Sequence, residues 1–258
     1  MESIGDERAY FADQWPGLKS MLEHQGPEAM IGAILAFELD VQRAALFRFA
    51  RQGLLFEDWN GKSLDAYMAV VDAGCAWLGE RAETVPAHER NDYLNVLAEL
   101  TFNFAADIAD CWPGDDEPRE RKHFERGAEV AEQSVGLRAE LDKPDQSQHL
   151  GWWAFGYHQL RLGNTAAAAD AMERSLEHAR IAARAAGEHD EITLQAPFAV
   201  LIGAGYLGLA RIADGEPSGP DLYGEAVAAF RAQLDDPERK DDAQFGIDQL
   251  ERVRGFIS

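Results

Sequence analysis

The chain has 258 residues and a formal net charge of −22, from 46 Asp and Glu against 24 Lys and Arg. With 46% hydrophobic and 27% charged residues it has the balance of a soluble globular protein, and folding at this length hides roughly 70–75% of the unfolded surface, so a core needs no staples. The acidity excludes nucleic acid from the expected partners, because phosphate contacts need clustered Lys and Arg.

Helix signals dominate from end to end, and strand alternation is nearly absent. Apolar residues recur at i, i+3, i+4 and i+7 in segments rich in Ala, Leu, Glu and Arg. Punctuation falls at Gly26-Pro27, Asn60-Gly61, Pro86, Pro113-Gly114, Pro144, Gly163-Asn164, Gly187 and 215–220. The pattern predicts ten helices, at about 5–24, 28–53, 63–83, 87–111, 118–141, 147–162, 165–186, 192–213, 221–234 and 241–257. No Gly/Ser or Pro-rich linker interrupts them, so a single all-α domain over 1–258 is expected.

Two segments bear on compartment. The N-terminus, MESIGDERAY, is acidic and lacks an apolar core, so no secretory signal is expected. Residues 192–210 carry no charge, but they include Thr193, Gln195, Pro197 and three glycines, with no Trp or Lys/Arg belt on both sides. A helix buried in protein is the better expectation than a membrane span. Cys75 and Cys111 form no CxxC pair and sit in apolar surroundings, as reduced, buried thiols of a cytoplasmic protein do.

Internal repetition is the most informative feature. In the segment HLGWWAFGYHQLRLGNTAAAADAMERSL, Trp152, Phe155 and Gly156 follow a W-x-x-L-G spacing, Gly163-Asn164 form a turn, and Ala168 and Met172 follow an A-x-x-x-F spacing. Small residues at Gly156 and Ala168 let two antiparallel helices cross closely, and Gly163 suits a left-handed helix end. The segment resembles a tetratricopeptide repeat with lengthened helices; Gln159 replaces the usual aromatic, and no proline ends the second helix. Leu207-Gly208 and Gly215, then Ala226 and Phe230, repeat the spacing. Gly127, Ala131 and Ser134 echo it upstream, as do Ala66, Val70 and Ala73, with Ala66, Gly127, Ala168 and Ala226 standing 61, 41 and 58 residues apart.

The resemblance implies antiparallel hairpins stacked as a right-handed superhelix. Divergent hairpins would fill 1–146, the clearest copies 147–234, and an amphipathic helix at 241–257 (Phe245, Ile247, Leu250, Val253, Phe256) would cap the stack.

Chemistry-bearing motifs are sparse. Gly203-Ala-Gly205-Tyr-Leu-Gly208 matches the dinucleotide fingerprint GxGxxG, and FAVLI before it reads as a strand. A second parallel strand ending in an acid should follow about 20 residues on, yet only 50 residues remain and they read as turn and helix. Glu120 and His123 make a single ExxH, whereas di-metal bundles use two plus further glutamates. The runs at 188–191 and 110–117 read as solvated acidic loops. No metal site, cofactor or activated nucleophile is predicted, which points to binding rather than catalysis.

The tetratricopeptide resemblance implies a protein or peptide partner along a concave groove. On the hairpin of the 147–162 and 165–186 helices Trp153, Tyr157 and Leu160, at i, i+4 and i+7, would line it beside Arg161; Leu209 and Ile212 are their counterparts on the next hairpin. The charge is −13 over residues 1–129 and −9 over the rest, which favours a basic partner, for example a cationic toxin met by an inhibitor or immunity protein. The alternatives are a nucleotide-binding enzyme using GAGYLG, or a structural helical protein that associates with itself.

Overall fold

The computed structural model describes residues 3–257, which form eleven α-helices and no strand. The helices are α1 (Ile4–Gln25), α2 (Pro27–Leu35), α3 (Asp40–Phe56), α4 (Leu64–Thr84), α5 (Ala87–Ile108), α6 (Arg121–Glu140), α7 (Asp145–Leu162), α8 (Thr165–Ala186), α9 (Phe198–Ala213), α10 (Gly219–Gln233) and α11 (Lys240–Phe256). The all-α expectation is met. The helix expected at 28–53 is instead two, and the physical cause is local. The free Ala36 and Phe37 amides turn back onto Gly32 O and Ile34 O, and Gln42 caps the new start through the Leu39 amide. Arg43 locks the break by donating to Phe37 O at 2.8 Å and pairing with Asp40.

The chain divides into two compact units, Met1–Phe104 and Ala105–Ser258. In the first, α1 packs on α2 and α3, and α3 and α2 pack on α4. Its core joins Phe11, Trp15, Phe47, Phe49 and Tyr67, with the Trp15 indole donating to Glu57 at 2.7 Å. Arg48 is held between Glu7 and Glu99.

The second unit is a run of neighbours: α6 on α7, α7 on α8, α8 on α9, α9 on α10, and α11 across α9 and α10. One device shapes it four times. The helices α6, α7, α8 and α9 each end in a left-handed residue: Asp142 (φ 48), Gly163 (φ 81), Gly187 (φ 73) and Gly215 (φ 77). In each, the following amide reaches back five residues: Lys143 to Arg138 O, Asn164 to Gln159 O, Glu188 to Ala183 O, Glu216 to Arg211 O. This reversal satisfies the last carbonyls and turns the chain back sharply. At α7 and α9 it closes an antiparallel hairpin with the next helix.

Small residues then set the helix spacing. Gly156 faces Met172, whose Cε would lie 3.0 Å from an added Cβ, and Ala168 and Met172 are fully buried. Gly208 abuts the backbone of Tyr223 on α10, while Ala226 and Phe230 fill the core beside it. The uncharged stretch at 192–210 supplies α9, buried from Val200 to Ala210. No helix among the described residues is long and apolar enough to cross a membrane.

Candidate functional site

The second unit carries an aromatic-walled pocket of about 120 Å³ between α7, α9, α11 and the segment after α5. Four rings define it. Trp112 is fixed by its indole N–H on Ala106 O at 2.8 Å. Its face stacks on Phe245 of α11 (centroids 6.3 Å apart, planes at 23°), and it lies tilted at 59° against Trp153 of α7, centroids 5.7 Å apart. Phe198, the first residue of α9, closes the opposite wall 6.2 Å from Phe245. Leu150 and Ile202 complete the apolar lining, with Gln146, His149 and Gln249 as the polar groups. Phe245 is 39% exposed, so its ring is open to solvent on the side away from Trp112 and Phe198.

Behind the pocket lies a buried polar cluster. Gln249 donates to Cys111 Sγ at 3.3 Å, and burial pushes that thiol up to about 12, leaving it protonated. Tyr206 is fully buried; its hydroxyl sits among Cys111 and the Trp153 indole without a well-formed hydrogen bond. Tyr157 donates its hydroxyl to Asp110, Arg161 pairs with the same carboxylate at 2.9 Å, and Arg252 donates to the Asp110 carbonyl at 2.7 Å. Arg161 is itself held between the rings of Phe124 (4.8 Å) and Phe256 (4.2 Å). Burial raises Tyr157 and Tyr206 well above the ordinary phenol range, so both stay neutral. The cluster ties α7 and α11 to the 105–111 segment and so fixes the pocket's walls.

The residues expected to line a groove are distributed differently. Trp153 forms the back wall of the pocket and is 6% exposed. Tyr157, Leu160 and Leu209 are core, beneath the cover of α9, α11 and the 105–111 segment. Arg161 is the clamp just described. Ile212 is half-buried, and its backbone crosses α10 at Gly219. Thus only Trp153 reaches the pocket, and Trp112, Phe198 and Phe245 were not foreseen as its walls. Their signal was weak: Trp112 stands in an acidic turn, and Phe245 reads as part of an ordinary apolar helix face.

The other motifs have structural occupations. GAGYLG lies wholly inside α9. Gly203 faces the Leu176 backbone at 3.4 Å, Gly205 faces Leu250, and Gly208 faces Tyr223, so close helix packing accounts for all three glycines. Glu120 and His123 cap α6, the Glu120 amide donating to His123 Nδ1 at 2.9 Å. Among the described residues no three His, Cys, Asp or Glu converge as metal ligands. Compared with known proteins, the chain matches no family model, no curated protein and no solved structure.

Proposed function

We propose that this is a non-catalytic, tetratricopeptide-like binding protein that anchors one apolar side chain of a protein partner in the Trp112–Phe198–Phe245 pocket. The observation that carries the reading is the exposed Phe245 ring stacked on Trp112 at the mouth of a preformed apolar cavity. Rigid aromatic walls around a cavity for a single side chain are the usual makings of an interface anchor. An engineered cavity of about 150 Å³ admits benzene, so a 120 Å³ pocket suits a Leu, Met or Phe side chain.

Charge supports a basic partner. Asp241, Asp242 and Asp248 stand three or four residues from Phe245 on α11 and are exposed, so they share its helix face. With the net charge of −22 they would draw in a segment carrying Lys or Arg beside its apolar anchor, as an inhibitor of a cationic protein requires.

Selection of a random peptide display library on the immobilised protein tests the reading, with Phe245→Ala as the counter-target. Enriched peptides should share an apolar anchor and lose at least tenfold in affinity on the variant, about 1.4 kcal/mol. No enrichment, or equal binding to both proteins, would refute it.

A further inference from the structure

A second cavity of the same unit has the opposite chemistry. It is a cleft of about 580 Å³ formed by α8, α9 and α10, well within the size range of small-molecule sites. Its floor is apolar, from Leu176, Leu207 and Leu222. Its walls carry Arg180 and Arg184, one turn apart on α8, and Arg211 from α9. Three guanidinium groups at one cleft are conspicuous in a chain with 24 basic side chains against 46 acidic ones.

Their present partners leave capacity unused. Arg184 pairs with Asp190 at 2.5 Å, and Arg211 with Glu173 at 3.3 Å and Glu216 at 3.5 Å. These pairs are partly exposed, so each is worth little and is readily exchanged, while it holds its guanidinium against the cleft wall. Arg180 differs. Among the described residues it makes no hydrogen bond or ion pair; its Nε is shut off from solvent with no acceptor, and it acts on Asp190 only through space. The Nε is out of an anion's reach, but the same guanidinium lines the cleft and holds no acceptor on its terminal nitrogens, which an anion in the cleft would supply.

We propose that this cleft binds a small organic phosphate monoester, with Arg180 as its principal contact. Donors converge from two helices, which suits a tetrahedral oxyanion better than a planar carboxylate, and Arg forks engage phosphate oxygens in pairs. The leucine floor takes the organic body. Glu173 and Glu177 at the wall accept from its hydroxyl or ammonium groups, which favours a ligand polar at both ends. The net charge of the chain opposes an anion's approach at long range, so recognition rests on contacts inside the cleft. The proposal is independent of the aromatic pocket, whose lining shares no residue with the cleft.

The test is calorimetric titration and 31P NMR with glucose 6-phosphate, phenyl phosphate and inorganic phosphate, using acetate and benzoate as carboxylate controls. Expected is binding of at least one ester with a Kd below about 1 mM, or −4.1 kcal/mol, tighter than inorganic phosphate or either carboxylate. Arg180→Gln should weaken it at least tenfold, and Arg180→Lys should recover only part of the loss because the fork is missing. Neither variant should melt below the wild type, since among the described residues Arg180 holds no hydrogen-bond or ion-pair partner. No binding, equal affinity for inorganic phosphate, preference for a carboxylate, or full affinity in Arg180→Gln would each overturn the proposal.

Discussion

Gly208 offers the sharpest test of the helix packing, because what opposes a side chain there is backbone. A Cβ at this position would lie 2.6 Å from the Tyr223 amide nitrogen and 2.8 Å from its Cα. Ordinary carbon contacts lie near 3.5–4.0 Å, so relief demands that α9 and α10 separate by about 1 Å. Rotamer changes cannot supply this, and α9 has no room to retreat: it is buried from Val200 to Ala210, with Leu176 behind Gly203 and Leu250 behind Gly205. Overpacking of this kind costs about 1–3 kcal/mol, and the rigid obstacle argues for the upper end. Replacing a helical glycine by alanine returns about 1 kcal/mol of propensity. Gly208→Ala should therefore lose about 2 kcal/mol net, which lowers Tm by about 4–8 °C for a domain of this size. Gly224, on α10, has nothing within 4 Å of its virtual Cβ, so Gly224→Ala should gain about 0.5–1 kcal/mol. Scanning calorimetry of the two variants beside the wild type reads the contrast directly. A Gly208→Ala protein that melts with the wild type, or two variants shifted alike, would refute the packing argument.

Two further outcomes follow from the buried polar groups. Asp110→Ala strips the partner from Arg161 and the acceptor from Tyr157, and should cost about 3–5 kcal/mol in urea unfolding, against about 1–2 for Tyr157→Phe; equal losses would mean that the carboxylate is not the keystone of the cluster. Burial pushes His149 and His158 down from 6.5 to about 4, so the native state refuses protons that the unfolded chain accepts. Stability from these rings is complete above about pH 7 and drains away as pH falls through 6.5 toward 4, by about 2 kcal/mol per ring at pH 5. The stability difference between wild type and His158→Gln should therefore narrow from pH 7 to pH 5; parallel curves would remove the imidazole from the account.

Most of the fold was legible because its rules are local. Helix periodicity placed every helical segment but ran α2 and α3 together, and in the second unit glycine at a left-handed end marked where α7, α8 and α9 stop. Asp142 performs the same reversal at the end of α6 without a glycine, which no composition rule singles out. The break at 36–39 was hidden for a related reason. Ala36, Phe37, Glu38 and Leu39 contain no turn residue, and the interruption depends on Gln42 and Arg43 folding back onto backbone groups. Such side-chain capping leaves no periodic trace.

The site was less legible, because helical spacing says which residues share a face and not what covers that face. Trp153, Tyr157 and Leu160 do share one, as their spacing requires. What decides their fate is Asp110, 47 residues before Tyr157, together with Arg252 near the other end of the unit. Asp110 stands in the acidic run DCWPGDDE, where composition suggests a solvated turn. Its neighbour Asp116 does behave that way, exposed beside Arg252, and Asp115 stays half-exposed while pairing with Arg119, whose side chain is buried. Asp110 alone turns inward, since Tyr157 and Arg161 offer it a hydrogen bond and a charge that compensate its desolvation. That single inward turn carries Trp112 with it, two residues on, and sets its indole against Phe245 and Trp153. The burial of the predicted face and the creation of the aromatic pocket are therefore one event. A substitution that releases Asp110 should expose the first and dismantle the second together.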